Sequence, residues 1–141
     1  MPARMIRTCR FRASHRYWRP EWTGAENRRR FGSASEAPGH PHDYRCTVTI
    51  EGPVDAATGM IIDLPLVDEI LASEITGPLE GRSINEALTA FGPGRLVPTC
   101  EALARYFYDQ IGPRLPAGTR LSAVRVDEDD SLGAEYLGGE G

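Results

Sequence analysis

Polar and apolar side chains alternate in two long stretches near the start of the chain, and this period of two predicts β-strands. The first stretch covers residues 5–15, and its inward row ends at His15. The second stretch begins at His40 and has an inward row of five side chains: His42, Tyr44, Cys46, Val48 and Ile50. Because the opposite rows are polar, both strands are predicted to lie half-buried in an antiparallel sheet.

Apolar residues at helical spacing follow two candidate N-cap residues, Asp63 and Thr99. The first predicted helix turns three apolar side chains inward and tolerates a proline in its first turn. The second helix is predicted to end at Gly112, which precedes a proline. A short apolar run at residues 60–62 predicts one further strand between the second long strand and the helices.

Residues 121–128 and 134–137 alternate around a polar turn, which predicts a C-terminal β-hairpin. Residues 16–39 show no period and are predicted to form a long loop, a kind of segment that often carries function. Residues 76–97 are also predicted to be mostly irregular, apart from a short turn near Asn85 to Leu88. The whole pattern predicts one α+β domain over residues 1–141, with an antiparallel sheet and helices on one face.

The composition excludes several classes of protein. The chain has 141 residues and a formal net charge of −4. Its only dense basic run is at residues 28–30, and an acidic chain with so little clustered positive charge is not expected to bind nucleic acid. No segment approaches the roughly 18 apolar residues of a membrane helix, so no membrane partner is expected. The arginine-rich start lacks the apolar core of a signal peptide, and the cysteines, Cys9, Cys46 and Cys100, lack C-x-x-C spacing. We therefore expect a cytoplasmic protein with reduced thiols.

The histidines of the chain lie at two predicted strand ends. His40 and His42 are two residues apart in an extended segment, so their imidazoles project from the same face. His15 ends the inward row of the other strand. If the two strand ends meet, three imidazoles form a zinc site with an open fourth position, which suits activation of a water or substrate oxygen. Histidines scattered over the surface or core are the alternative interpretation.

Several short segments, spread over nearly the whole chain, carry a family signal. They read Phe11-Arg12-Ala13-Ser14-His15, Asn27-Arg28-Arg29-Arg30-Phe31-Gly32, Gly39-His40-Pro41-His42-Asp43-Tyr44, Gly52-Pro53-Val54-Asp55, Gly59-Met60-Ile61-Ile62-Asp63-Leu64, Pro98-Thr99-Cys100-Glu101 and Val124-Arg125-Val126-Asp127-Glu128. In sequence and order they resemble the motifs of the 6-pyruvoyl-tetrahydropterin synthase and 6-carboxy-tetrahydropterin synthase family. Several spaced motifs in the right order are far more specific than any single one.

The resemblance implies a tunnelling fold (T-fold), in which two helices back a four-stranded antiparallel sheet. The sheets of three such subunits close a barrel, and two trimers stack as a hexamer, so a homo-oligomer is expected. Barrel closure pairs the edge strands that a small sheet leaves open. Active sites of the family lie at subunit interfaces and bind a pterin as the small-molecule substrate.

The resemblance also implies the residues of the site. By position, His15, His40 and His42 are expected to bind Zn²⁺. Glu128 matches the glutamate that anchors the pterin ring, and a carboxylate has acceptors for the paired N–H groups of a 2-amino-4-oxo-pyrimidine edge. The inward row of its own strand also predicts that Glu128 is buried, and a buried carboxylate needs a partner. The alternative partner is one of the many arginines.

Thr99 and Glu101 match residues that line the same pocket of the family. Each also has an ordinary structural role, because a threonine before a helix caps it and an acidic residue in the first turn interacts favourably with the helix dipole. The two kinds of role are compatible, so both residues are expected to bind substrate.

The chain departs from the family where acid and base chemistry is expected. The family cysteine that acts as general base precedes the paired histidines, and two alignments of this loop give Ala34 or Glu36 at its position. The family's later Asp-His pair is replaced by Glu80 and Gly81. The usual catalytic residues are therefore missing, and Glu36 and Glu80 are the candidates to replace them.

Three functions remain open. The first is zinc-dependent lyase chemistry on the side chain of 7,8-dihydroneopterin triphosphate or a related pterin, with Glu36 as base. Family members with a glutamate at E-x-x-x-H spacing are associated with cleavage to 6-hydroxymethyl-dihydropterin, and a good base near neutrality needs a raised pKa. The second is a changed reaction on a different pterin-like or purine-derived substrate, which uses zinc and Glu80 or a loop serine such as Ser33 or Ser35. The third is pterin binding without lyase activity.

Overall fold

A computed structural model describes residues 3–139 and places five strands in one sheet. The strands are β1 (Ala3–His15), β2 (His40–Gly52), β3 (Arg82–Ser83), β4 (Arg120–Asp127) and β5 (Gly133–Tyr136). Their order in the sheet is β3-β1-β2-β4-β5, and every pairing is antiparallel except the short contact between β3 and β1. The sheet thus has four main antiparallel strands and a two-residue addition at one edge.

The helices are α1 (Gly24–Phe31), α2 (Leu64–Leu71), α3 (Gly77–Leu79), α4 (Ile84–Ala87) and α5 (Cys100–Ile111), and a π-helical turn at Ala72–Thr76 joins α2 to α3. Helices α2 and α5 contribute buried apolar side chains to the core against this sheet. The α5 helix lies against β4 and β5 and buries Leu103, Phe107 and Ile111. The predicted α+β class is confirmed. Among residues 3–139, no helix combines the length and apolar character needed to cross a membrane.

The core forms from the inward rows of β1, β2 and β4. The inward row of β2 is confirmed from Tyr44 to Ile50, and each of its four alternating side chains is buried. On β4 the register shifts opposite Thr49 and Ile50, and this bulge keeps both Leu121 and Val124 on the buried side. The inward rows therefore remain in phase as they approach the end of the sheet where the histidines lie.

Two expectations about connecting segments are wrong. Residues 16–39 contain α1, which the Thr23 side chain caps by accepting a hydrogen bond from the Glu26 backbone N–H. This helix has no apolar period because its exposed face is charged, with Arg29 donating to Glu26. Residues 60–62 form a bend rather than a strand. Ile62 is buried in the core as a side chain, which needs no strand partner.

Candidate active site

Three chemically active side chains meet where the inward rows of β1, β2 and β4 reach the same end of the sheet. His15 ends β1, His42 lies near the start of β2, and Glu128 directly follows β4. His15 pairs with His40 across the β1–β2 ladder, and Ala13 pairs with His42, so His42 lies diagonal to His15 on the same face. Strand alternation therefore directs these side chains to one point.

The ligand atoms of His15, His42 and Glu128 all lie within 4.8 Å of one another. The two imidazole centroids are 4.7 Å apart with an angle of 38° between the rings. The Nε2 atom of His42 is 3.5 Å from Oε2 of Glu128. His15 and Glu128 are 2% and 9% exposed, whereas His42 is half-buried beside an open pocket of about 350 Å³. The cluster is thus protected on one side and accessible on the other.

Buried polar groups fix the orientation of His15. Its Nδ1 forms a short hydrogen bond with the hydroxyl group of Tyr44, which is itself buried. The side chain of Asn85 accepts from the Arg16 N–H over 2.8 Å and donates to the Arg16 carbonyl over 3.1 Å. Because Nδ1 is engaged by Tyr44, Nε2 is the nitrogen of His15 that is free to face the cluster.

Two residues that the sequence analysis missed contact the Glu128 carboxylate. The Tyr17 hydroxyl group donates to Oε1 over 3.2 Å, and the Tyr17 ring stacks on His15 with centroids 4.5 Å apart. The Cys100 thiol lies 4.0 Å from the same oxygen. Tyr17 continues the inward alternation of β1 two residues beyond His15, and this was the available signal. Within residues 3–139, the ion pair of Glu128 is with His42, and no arginine forms one with it.

Burial controls the protonation of the site. Burial, followed by the neighbouring imidazoles of His42 and His40, lowers the pKa of His15 to about 4. Burial and then the charge of Glu128 raise the pKa of Cys100 to about 12. The same two causes raise the pKa of Tyr17 far above its ordinary value. Near neutral pH the site therefore presents a neutral imidazole, a thiol and a phenol.

The donor set fits a divalent transition metal. Zinc in proteins is commonly bound by neutral imidazole nitrogens and carboxylate oxygens, and in catalytic sites three protein ligands leave one position for substrate. His15 provides a neutral imidazole whose second nitrogen is hydrogen-bonded, as is usual for a metal-binding histidine. The compact cluster of His15, His42 and Glu128 therefore has the chemistry of a metal site.

His40 is the remaining imidazole expected to bind zinc. It is half-buried and lies directly opposite His15 in the strand ladder. Its imidazole acts on the pKa of His15, but it is not part of the compact group that His15 forms with His42 and Glu128. The sequence predicted His40 as the third group beside His15 and His42. In the structure, Glu128 is the third member of the compact group.

The two candidate acid–base residues lie outside the cluster. Glu36 is exposed at the end of a 3-10 turn, four residues before His40. Glu80 is also exposed, and both its carboxylate oxygens accept from the Arg12 backbone N–H, at 3.3 and 3.4 Å. Gly81 donates to the Arg12 carbonyl over 2.7 Å. Glu80 and Gly81 therefore hydrogen-bond along the outer edge of β1.

Thr99 and Glu101 show the structural roles that their positions predict. The Thr99 hydroxyl group accepts from the Ala102 N–H over 3.1 Å and caps α5, while Glu101 is exposed in the first turn. The charge of Glu101 contributes to the raised pKa of Tyr17. Glu101 is therefore close enough to act on the cluster through its charge. Contacts of Thr99 and Glu101 with a substrate stay a prediction.

A profile of the family described as 6-pyruvoyl tetrahydropterin synthase matches residues 4–139 of the chain. The chain belongs to the 6-pyruvoyl tetrahydropterin synthase family. The human 6-pyruvoyl tetrahydrobiopterin synthase is 32% identical over 136 residues, which cover 96% of this chain and 92% of the human protein. The family assigned from the motifs is confirmed.

Solved structures of the 6-pyruvoyl tetrahydropterin synthase family share the fold of this chain. The Caenorhabditis elegans 6-pyruvoyl tetrahydropterin synthase has a TM-score of 0.89 at 25% identity and covers 99% of this chain and 97% of its own. A Plasmodium vivax 6-pyruvoyltetrahydropterin synthase, altered at a catalytic glutamate, has a TM-score of 0.64 at 12% identity and covers 96% of this chain and 97% of its own. The T-fold subunit predicted from the resemblance is confirmed.

Proposed function

We propose that this chain is a zinc-dependent enzyme that acts on the side chain of 7,8-dihydroneopterin triphosphate or a related pterin. Membership of a pterin synthase family supports the substrate class. The observation that carries the proposal is the convergence of His15, His42 and Glu128 at one end of the sheet. A buried carboxylate beside one buried and one half-buried imidazole is costly to fold, and a bound ligand offsets that cost.

In the proposed site, His15, His40 and His42 hold the zinc ion and Glu128 anchors the pterin ring. When bound, zinc supplies Lewis-acid polarisation of a side-chain oxygen. Glu128 offers acceptors to the N–H groups of the ring, and it is already held by Tyr17. Zinc content separates this arrangement from one in which Glu128 is the third metal ligand. His40→Ala lowers zinc content in the first case, and Glu128→Ala lowers it in the second.

Glu36 is the proposed general base. A lyase acting on the side chain needs a base to take a hydroxyl proton and an acid to return a proton to the carbon left on the ring. The catalytic residue altered in the Plasmodium vivax protein is a glutamate, which supports a carboxylate in this role. Glu36 is exposed in a single chain, so a drier environment for it requires a second subunit. We therefore propose a homo-oligomer, a trimer or hexamer.

A changed reaction, or pterin binding without lyase activity, is the second candidate function. It is favoured by Glu80 and Gly81, which replace the family's Asp-His pair. The Glu80 carboxylate already accepts a hydrogen bond from the Arg12 N–H, and Gly81 has no side chain. A proton donor is then the missing component. This candidate shares the metal and ring-binding site but predicts no cleavage of the side chain.

Zinc analysis and product identification test the proposed function together. We expect about one zinc ion per chain in the purified protein. Incubation with 7,8-dihydroneopterin triphosphate should release a two- or three-carbon aldehyde if the protein cleaves a carbon–carbon bond, or inorganic triphosphate if it cleaves the carbon–oxygen bond. Unchanged substrate with measurable affinity would indicate the binding protein. Absence of both zinc and affinity for the pterin would contradict the proposal.

A further inference from the structure

The Tyr17 side chain links the candidate metal ligand His15 to the candidate ring anchor Glu128. Its ring stacks on His15 with 27° between the planes, and its hydroxyl group donates to Oε1 of Glu128 over 3.2 Å. The same ring makes a T-shaped contact with Phe31, with centroids 5.8 Å apart. Tyr17 thus contacts both parts of the site, although it lies outside the family motifs of the sequence.

The Glu128 carboxylate depends on Tyr17 for a strong hydrogen bond. The other contact with Oε1 is the Cys100 thiol at 4.0 Å, and a thiol is a weak donor. Oε2 faces His42 Nε2 at 3.5 Å, which is longer than a normal hydrogen bond. A buried carboxylate with weak partners has no fixed orientation, so the Tyr17 hydroxyl group determines which way Glu128 faces.

The Tyr17 hydroxyl group can set this orientation because the backbone around it is held on both sides. The Tyr17 N–H donates to the Ala34 carbonyl over 2.9 Å. The preceding residue, Arg16, is held through its N–H and carbonyl by Asn85. The direction of the phenol is therefore fixed by contacts outside the cluster, which makes it a preorganised donor.

We propose that Tyr17 is the positioning residue for pterin recognition: its hydroxyl group holds the Glu128 carboxylate in the orientation that accepts the paired N–H groups of the ring. This inference rests on the proposed function. A carboxylate held by one oxygen keeps its remaining lone pairs aimed in a defined direction, which favours a two-point ligand edge. Tyr17 acts on the ring through Glu128 and leaves zinc binding to the imidazoles.

The test uses the zinc-loaded, full-length protein and neopterin as the probe. Tyr17→Phe keeps the ring contact with His15 and removes only the hydroxyl group, so we expect about tenfold weaker neopterin binding. Zinc stoichiometry should stay at the wild-type value. Tyr136→Phe is the matched control, because the Tyr136 hydroxyl group donates to the Gly139 carbonyl and lies on β5. The control should bind neopterin like the wild type.

A double-mutant cycle with Glu128→Gln separates positioning from general stability. If Tyr17 acts through Glu128, the double variant binds no more weakly than Glu128→Gln alone, because the two changes remove the same contact. Additive losses, or wild-type affinity in Tyr17→Phe, would overturn the inference. If Tyr17→Phe does not fold, Glu128→Asp retracts the carboxylate from Tyr17 instead. It should weaken neopterin binding about tenfold, and wild-type affinity would overturn the inference.

The failure of the proposed function gives a different result. Wild-type protein that binds neither zinc nor neopterin contradicts the proposed function itself, and the inference about Tyr17 fails with it. Wild-type protein that binds both, with Tyr17→Phe indistinguishable from it, leaves the proposed function intact and removes only Tyr17 from pterin recognition.

Discussion

The binding half and the acid–base half of the proposed site are built in different ways. His15 and Glu128 are buried at the ends of sheet strands and are held by buried or part-buried polar contacts. Glu36 and Glu80 are exposed in connecting segments. A single chain therefore preorganises the groups that we propose to bind metal and ring, whereas the proposed proton transfer depends on what covers the exposed carboxylates. If the proposed function is correct, affinity and turnover are therefore expected to be separable in this protein.

The largest expected effect is the loss of zinc from the binding half. His42→Ala removes an imidazole whose Nε2 faces the cluster, and we expect zinc content to fall from about one ion per chain to a small fraction. Metal analysis after dialysis measures it. Glu36→Ala is the matched control from the acid–base half and should keep its zinc. Equal zinc loss in both variants would contradict the separation of the two halves.

In the acid–base half, Glu36→Gln should abolish turnover without loss of affinity. Removal of a general base lowers the rate by about 10²–10⁴-fold. The variant should bind zinc and neopterin like the wild type, since Glu36 is outside the cluster. Glu21→Gln is a suitable control, because Glu21 is an exposed carboxylate in the same connecting segment. Unchanged turnover in Glu36→Gln would remove this residue from the mechanism.

The binding half should also make the metal-free protein sensitive to acid. Burial, with His42 and His40 nearby, lowers the pKa of His15 from 6.5 to about 4. The unfolded chain then binds a proton that the folded chain excludes, so this contribution to stability is full above pH 6.5 and is lost as the pH falls towards 4. The loss is on the order of 3 kcal/mol in the free energy of unfolding.

Urea denaturation of the metal-free protein between pH 4 and 7 measures this dependence. Tyr44 contacts His15, and Glu128 belongs to the same cluster. The pH dependence of Tyr44→Phe and Glu128→Gln separates the contributions of these two groups from that of His15. His15→Gln removes the titrating group and should flatten the pH dependence over the same interval. An equally steep dependence in His15→Gln would assign the acid sensitivity to other groups.

A smaller effect is expected from the residue that orients His15. Tyr44→Phe keeps the buried ring and removes the hydroxyl group that bonds to Nδ1, so we expect about tenfold weaker zinc affinity. Competition with a metal chelator measures the dissociation constant. Tyr108→Phe is the control, because Tyr108 packs against Tyr136 of β5 and is not part of the cluster. Unchanged affinity in Tyr44→Phe would show that this contact is only structural.

The binding half was largely predictable from the sequence. Strand alternation is a strict geometric rule, so His15, His42 and Glu128 can be assigned from the sequence to the inward rows of their strands. The same rule, continued by two residues, would have included Tyr17. What alternation does not determine is the offset between strands, which leaves His40 opposite His15 while His42 and Glu128 form the compact group with it.

The acid–base half was less predictable for a physical reason. Its residues lie in segments whose structure is set by caps and side-chain contacts to the backbone rather than by an apolar period. Asn27, for example, is buried and donates to the carbonyls of Arg19 and Thr23, and helix α1 forms around it. Such contacts have no periodic signal. The family motifs gave the positions of Glu36 and Glu80 but not their surroundings.

The most direct test of the central claim is a crystal structure of the zinc- and neopterin-bound protein, with anomalous data at the zinc edge. The account predicts an anomalous peak about 2.0–2.1 Å from imidazole nitrogens of His15 and His42. It also predicts that the N–H groups of the neopterin ring lie within hydrogen-bond distance of the Glu128 carboxylate. A metal peak away from both imidazoles, or a ring bound elsewhere on the chain, would contradict it.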